Sequence, residues 1–238
     1  MNDLIIALDL PTADEALALV DGLGEPADYY KVGTQLFTRE GPALVRALKD
    51  REKKVFLDLK YHDIPHTVAR SVESAAALGV DMLTVHASGG SAMMRAARDA
   101  AGPDGPLLVG VTLLTSFSGA DVEEVWDKEL RSLRDDVARL AALAADAGLD
   151  GVVSSALEVE TLKRRHGSDF LVVTPGIRPE GGAAGDQTRV ATPAQAVAAG
   201  ADYLVVGRPI HGAPDPETAF RAFLDEIQAA VAANAEAS

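Results

Sequence analysis

Short apolar runs rich in Val alternate along this chain with longer stretches whose apolar positions recur at helical spacing. The short runs fall at 4–9, 28–33, 54–60, 81–86, 107–113, 150–154, 170–174 and 202–206. They are too short for helices and lack the apolar/polar alternation of a half-exposed strand, so they predict strands buried on both faces. Amphipathic helices are predicted over Ala13–Leu23, Pro42–Lys49, Thr67–Leu78, Ser91–Ala101, Arg131–Ala147, Ala156–Arg165, Pro193–Ala199 and Pro216–Ala233. Four segments repeat one pattern: a small turn, then Asp28, Asp81, Asp150 or Asp202, then an apolar run ending in a polar residue. In the last three, Gly79, Gly148 and Gly200 follow an Ala/Leu-rich stretch, as a helix C-cap at positive φ would require.

Strand and helix alternating throughout imply parallel strands joined by helical crossovers. Eight such units in 238 residues match a (β/α)8 barrel, so the predicted fold is an α/β TIM barrel in one domain over 1–238. A doubly wound open sheet is the alternative. No Gly-x-Gly-x-x-Gly follows the first strand to favour a dinucleotide fold. Beyond about residue 229 the chain is Ala/Asn/Glu/Ser, and a frayed tail is expected there.

Composition then removes whole classes of function. A formal net charge of −14 argues against nucleic acid as a partner, although it leaves a small anionic substrate open. The absence of Cys excludes disulfides and thiol catalysis and suits a reducing compartment. No apolar run reaches the length of a membrane span, and Leu4–Leu8 is reached with no basic leader before it. A cytoplasmic protein with no membrane partner is expected.

Charge concentrates in Val55-Phe56-Leu57-Asp58-Leu59-Lys60-Tyr61-His62-Asp63-Ile64-Pro65. Residues two apart on a strand share a face, so Asp58 and Lys60 are predicted side by side. Asp63 falls just beyond, where Pro65 opens a helix. Such charges are costly to bury unless they pair or perform chemistry, and a structural ion pair is the plainer alternative. Barrels of this kind place their active sites at the C-terminal strand ends. Those ends carry Asp9, Lys31, Asp58 with Lys60, His86, Thr112 to Ser116, Ser154 with Ser155, Pro175 to Arg178, and Gly207 with Arg208. Asp9, Lys31, Asp58 and Lys60 come from three neighbouring strands and can alternate as two carboxylates and two ammonium groups. Each opposite-charge contact at ~4 Å contributes roughly 4 kcal/mol at an effective dielectric near 20.

Val206-Gly207-Arg208-Pro209 ends the last strand with a glycine, a guanidinium and a helix start, a combination suited to phosphate. Barrels often hold phosphate near strands seven and eight. The long Gly-rich loop from Gly176 to Arg189, with Gln187 near its end, reads as a lid or binding loop rather than a slack connection.

Six segments in this order resemble the orotidine 5′-phosphate decarboxylase family over essentially the whole chain. They are Asp58 to Thr67, Lys31-Val32-Gly33, Val111 to Ser116, Gly176-Ile177-Arg178-Pro179, Gly185-Asp186-Gln187 and Gly207-Arg208-Pro209. The Asp-x-Lys-x-x-Asp core alone is shared with related sugar-phosphate enzymes; the ordered set is far more specific. Thr188 stands where a basic residue is frequent, a departure that touches only lid charge. The resemblance implies a cofactor-free decarboxylation in which Lys60 protonates C6 of the pyrimidine. It places Asp58 beside the departing carboxylate, Lys31 on Asp58 and the ribose hydroxyls, and Asp9 on the ribose. Thr115 would lie near the pyrimidine, and Arg178, Gln187, Gly207 and Arg208 near the phosphate and lid. Asp63, Ile64 and Thr67 would reach into the site of a second subunit, making a homodimer with shared active sites.

Two rival readings follow from the same residues. A metal-dependent sugar-phosphate lyase or aldolase could use Asp58 and Asp63 as magnesium ligands, but relatives of that kind carry an acid on the second strand where this chain has Lys31. A non-catalytic nucleotide-binding protein would keep the phosphate pocket, yet it would have no need of Lys60 beside Asp58. No metal is expected. Ser154 lacks a Gly-x-Ser-x-Gly frame, which makes a nucleophilic serine a poor reading.

Overall fold

The computed structural model of the chain describes residues 3–127, 132–181 and 189–237. Its eight strands are β1 (Asp3–Ala7), β2 (Tyr29–Gly33), β3 (Lys54–Tyr61), β4 (Met82–His86), β5 (Leu107–Val111), β6 (Gly151–Val153), β7 (Leu171–Thr174) and β8 (Tyr203–Val206). All neighbours pair in parallel and in sequence order, and β8 closes on β1, giving the predicted (β/α)8 barrel in a single domain. Around it run α1 (Ala13–Leu23), α2 (Thr34–Glu40), α3 (Pro42–Lys49), α4 (Pro65–Ala76), α5 (Gly90–Ala101) and α6 (Gly119–Trp126). The ring is completed by α7 (Leu133–Asp146), α8 (Ala156–His166), α9 (Pro193–Ala199), α10 (Arg208–His211) and α11 (Pro216–Ala237).

Strand alternation sorts the apolar residues into two cores. Ile5, Ala7, Tyr29, Phe56, Met82, Val109, Val173 and Val205 point inward and fill the barrel as one cluster. Ile6, Leu57, Leu83, Leu108, Val152 and Leu204, one position away, pack outward against the helices. Two residues further along the inward face, the apolar plug gives way to polar groups: Lys31 after Tyr29, Asp58 after Phe56, Thr84 after Met82. A sealed floor beneath a polar mouth is the result.

The repeated Asp has a mechanical role in three of its four occurrences. Asp81, just before β4, accepts from Val55 N at 2.7 Å and from Lys49 Nζ at 2.8 Å. Asp150, just before β6, accepts from Leu108 N and from Arg98 Nη1, each at 2.7 Å. Asp202, just before β8, accepts from Val172 N at 2.7 Å and pairs with Lys163 Nζ at 2.6 Å. Each time, an even-numbered strand ties down the start of the preceding odd strand and the helix that leads into it. Asp28 departs from this pattern and pairs with Lys54 Nζ at 3.1 Å. The glycines ahead of the three clamps sit at φ 74°, 80° and 94°, the left-handed conformation expected of them.

Some boundaries differ from the sequence reading. β1 stops at Ala7 and β5 at Val111, so Asp9 and Thr115 stand on the loops above their strands. α2 was not predicted: it has seven residues, buries only Leu36 and lies between two glycines, too little for a periodic stripe.

Candidate active site

The mouth of the barrel holds a cavity of about 580 Å³. Asp9, Lys31, Asp58, Lys60, Thr115, Arg178, Gly207 and Arg208 all line it. Eight of the twelve residues to which the family resemblance gives a role therefore meet in one place.

The four charges form an alternating chain. Lys31 Nζ donates to Asp9 Oδ1 at 3.1 Å and lies 3.6 Å from Asp58 Oδ2. Lys60 Nζ donates to the other Asp58 oxygen at 2.8 Å. Gly33 permits the first contact, since a Cβ there would stand 3.1 Å from Lys31 Nζ and 3.3 Å from Asp9 Oδ1. Burial by itself pulls the Lys31 ammonium down, but the charges of Asp58 and Asp9 outweigh it and hold its pKa above the usual lysine value. Burial pushes Asp58 up, and Lys31, Lys60 and a Thr84 hydrogen bond together bring it below the usual carboxylate value. In each group the charged partners outweigh burial and favour the ionised form.

Asp58 and Lys60 meet, but not through plain strand alternation. Leu57 pairs with Leu83 and Tyr61 with Val85, so four steps along β3 face only two along β4. Lys60 lies inside this bulge at φ 52°, a left-handed conformation rare for a residue with a side chain. Its backbone N–H leaves the ladder and donates to Thr84 Oγ1 at 2.8 Å. The bulge, rather than the period of two, aims the ammonium at Asp58.

On the opposite wall, Arg178 is buried and donates through Nη1 to Ile177 O at 2.8 Å. The Gly-rich loop is pinched at its base by a bridge between Ile177 and Ala191, with Arg178 N donating to Ala191 O at 2.9 Å. Gln187 lies outside the described residues. A Cβ on Gly207 would meet Ala7 Cβ at 3.2 Å and Asp9 Oδ2 at 3.5 Å, so glycine keeps the space between β1 and β8 open.

Asp63, Ile64 and Thr67 do not line the cavity. They stand exposed on the turn after β3 and the start of α4, and Ile64, an apolar side chain, is 66 % exposed. Asp63 Oδ1 accepts from the N–H of Ile64 at 2.6 Å.

The sequence reading missed two sets of residues. Arg189 and Glu158 form a buried ion pair at 3.0 Å; Ser154 donates to the same carboxylate at 3.2 Å, and Arg189 Nη2 donates to Leu114 O at 3.2 Å. This pair ties the trailing end of the Gly-rich loop to the loops above β5 and β6. It also gives Ser154 a structural partner, while Ser155 caps α8 by accepting from Leu157 N. Thr84, the second, carries no charge or motif that marks it in the sequence. Counting by twos from Met82 puts its hydroxyl inside the barrel. His86 lies against His62 with ring centroids 5.2 Å apart, and burial first, with His62 and Lys60 close by, holds its pKa below the usual histidine value.

The family profile described as orotidine 5′-phosphate decarboxylase / HUMPS matches residues 2–223. The chain belongs to this family. A Vibrio cholerae protein named orotidine 5′-phosphate decarboxylase is 50 % identical over 236 residues, which cover 97 % of this chain and all of the relative. A protein of the same name from Sodalis glossinidius is 51 % identical, covering 95 % of this chain and 90 % of its own. The crystal structure of orotidine 5′-phosphate decarboxylase from Lactobacillus acidophilus superposes with a TM-score of 0.84 at 39 % identity, over 94 % of this chain and 98 % of that one. Family membership spans the strands, the cavity and the Gly-rich loop together.

Proposed function

We propose that this chain decarboxylates orotidine 5′-monophosphate to uridine 5′-monophosphate, in pyrimidine nucleotide biosynthesis, with no metal or organic cofactor. One observation carries the reading: the buried Asp58 carboxylate is held between two ammonium groups at the mouth of a barrel of this family. Relatives of about 50 % identity bearing the name of that activity support it.

The chemistry follows from the charges. When the bond from C6 to the carboxyl carbon breaks, its electron pair stays on C6, where the ring offers no good sink. The Lys60 ammonium stabilises that developing charge, then gives its proton to C6 and is left neutral until solvent restores the proton. Asp58 holds the ammonium in position and meets the substrate carboxylate as a like charge. Lys31 and Asp9 suit the ribose hydroxyls, and Thr115 the pyrimidine. Arg178, Gln187, Gly207 and Arg208 suit the phosphate, whose remote binding energy can align the ring. A magnesium-dependent lyase on the same barrel is disfavoured because both Asp58 oxygens already face cations or a hydroxyl, and Lys31 stands where a metal would need an acid.

The same reading includes a cytoplasmic homodimer in which Asp63, Ile64 and Thr67 of each subunit complete the other's site. Their exposure on the rim, outside their own cavity, supports it. Among the described residues no helix is long and apolar enough to cross a membrane.

An assay of carbon dioxide release from the orotidine nucleotide tests the whole proposal. Turnover should survive exhaustive chelation and should disappear in Lys60→Ala, while that variant stays folded and binds the product nucleotide. Loss on chelation with recovery on adding magnesium would move the function to a metal-dependent lyase.

A further inference from the structure

The extra residues of β3 create a problem that one side chain on β4 solves. Between Leu57 and Tyr61 the ladder to β4 is broken, and the Lys60 N–H loses its strand partner. A buried N–H without a partner is destabilising, and the left-handed backbone at Lys60 adds strain. Thr84 is fully buried, and its Oγ1 accepts the Lys60 N–H at 2.8 Å. Because an N–H can only donate, the hydroxyl proton is free to point elsewhere, and it points at Asp58 Oδ1, 3.1 Å away. That same carboxylate oxygen receives the Lys60 ammonium at 2.8 Å. The result is a closed ring: Lys60 N–H to Thr84 hydroxyl, hydroxyl to Asp58, and Asp58 back to the tip of Lys60.

We propose that Thr84 is a positioning residue for the decarboxylation, holding the Lys60 backbone and the Asp58 carboxylate in the one arrangement that aims the ammonium into the cavity. The proposal rests on the reading of function given above. Thr84 does not itself line the cavity, so it acts through Lys60 and Asp58 and not on substrate. Its place is set by strand register: Phe56 pairs with Met82, so the inward residue two further along β4 arrives beside Asp58. Val at this position would pack alike and make neither bond; Ser would make both and lose only a methyl group. A shift of about 1 Å in a proton donor can lower turnover roughly a hundredfold while leaving substrate contacts in place.

The test compares Thr84→Val and Thr84→Ser with the parent chain by steady-state decarboxylation and by crystal structure. Thr84→Val should lower kcat by about ten- to a hundredfold with KM changed less than about threefold, and Thr84→Ser should recover most of the loss. In the Thr84→Val structure Lys60 should leave φ near 52°, and its ammonium should move out of hydrogen-bond reach of Asp58. Wild-type kcat in Thr84→Val, or an unmoved Lys60, would overturn the proposal. So would equal damage in the Val and Ser variants, because keeping the hydroxyl would then not preserve turnover. If Thr84→Val does not accumulate folded, Thr84→Ala is read by the same kcat and KM split. Inactivity of the parent chain would sink the assigned function instead, leaving the Lys60 geometry in the crystal structures to decide the role of Thr84.

Discussion

Asp58 and Lys31 are two buried charges, each of which makes the other tolerable, and their titration should show it. The Asp58 pKa lies below its ordinary 3.8, so the stability it contributes is present above that value and is lost as pH falls through the lower folded value. The Lys31 pKa lies above its ordinary 10.5, so its contribution is complete below that value and is lost only as pH rises beyond it. Asp58→Asn leaves two ammonium groups facing a neutral amide and should be less stable than the parent at neutral pH. The gap in denaturant midpoint between the two should hold steady from about pH 7 down to about pH 4 and narrow only below the ordinary Asp value. A gap already closing near about pH 6 would mean that Asp58 titrates high and that burial wins over its partners. At this scale the sequence showed which charges gather at the mouth, because Asp9, Lys31, Asp58 and Lys60 all stand where apolar strand-forming runs end. It did not show Lys60 at positive φ, because nothing local announces a bulge that pairing with β4 imposes.

Among the elements, the Asp clamps belong to the floor of the barrel and the charged cluster to its mouth. In barrels of this class the N-terminal face serves stability and the C-terminal face chemistry, so the two should separate by mutation. Asp150→Ala removes hydrogen bonds to Leu108 N and Arg98 and should lower stability by about 2 kcal/mol, since bonds to a charged acceptor are stronger than average. Turnover measured well below the melting transition should stay at the parent level; lost turnover without lost stability would contradict this division of labour. The repeat itself was visible as four Asp residues before four apolar runs. Its mechanism was not, because the partners of Asp81, Asp150 and Asp202 lie on the previous strand and on the helix leading into it, many residues away. The Arg189–Glu158 pair was hidden for the same reason: an Arg after a long loop and a Glu in a helix carry no local sign that they will meet.

At the scale of the whole molecule, the proposed homodimer predicts a distinctive complementation. Lys60→Ala and Asp63→Ala should each be severely impaired alone, because every site carries one lesion. In a mixed dimer one site collects both lesions and the other has none. Random equal mixing should therefore restore about a quarter of the parent sites, since half the dimers are mixed and each holds one intact site. No recovery in a sample where mixed dimers are demonstrated would refute the shared site and return Asp63 to its own chain.

The sequence by itself determined the barrel. Eight short apolar runs separated by amphipathic helices leave parallel closure as the economical way to bury every strand on both faces. It also determined the charged inventory of the mouth, because strand ends can be read wherever an apolar run stops. Only the tertiary structure decided how those charges are aimed. The direction of Lys60 depends on two extra residues of β3 opposite β4, and its hydroxyl support comes from Thr84 on that neighbouring strand. Register between strands is a property of pairing, set by contacts across the sheet, and no stretch of chain contains it alone.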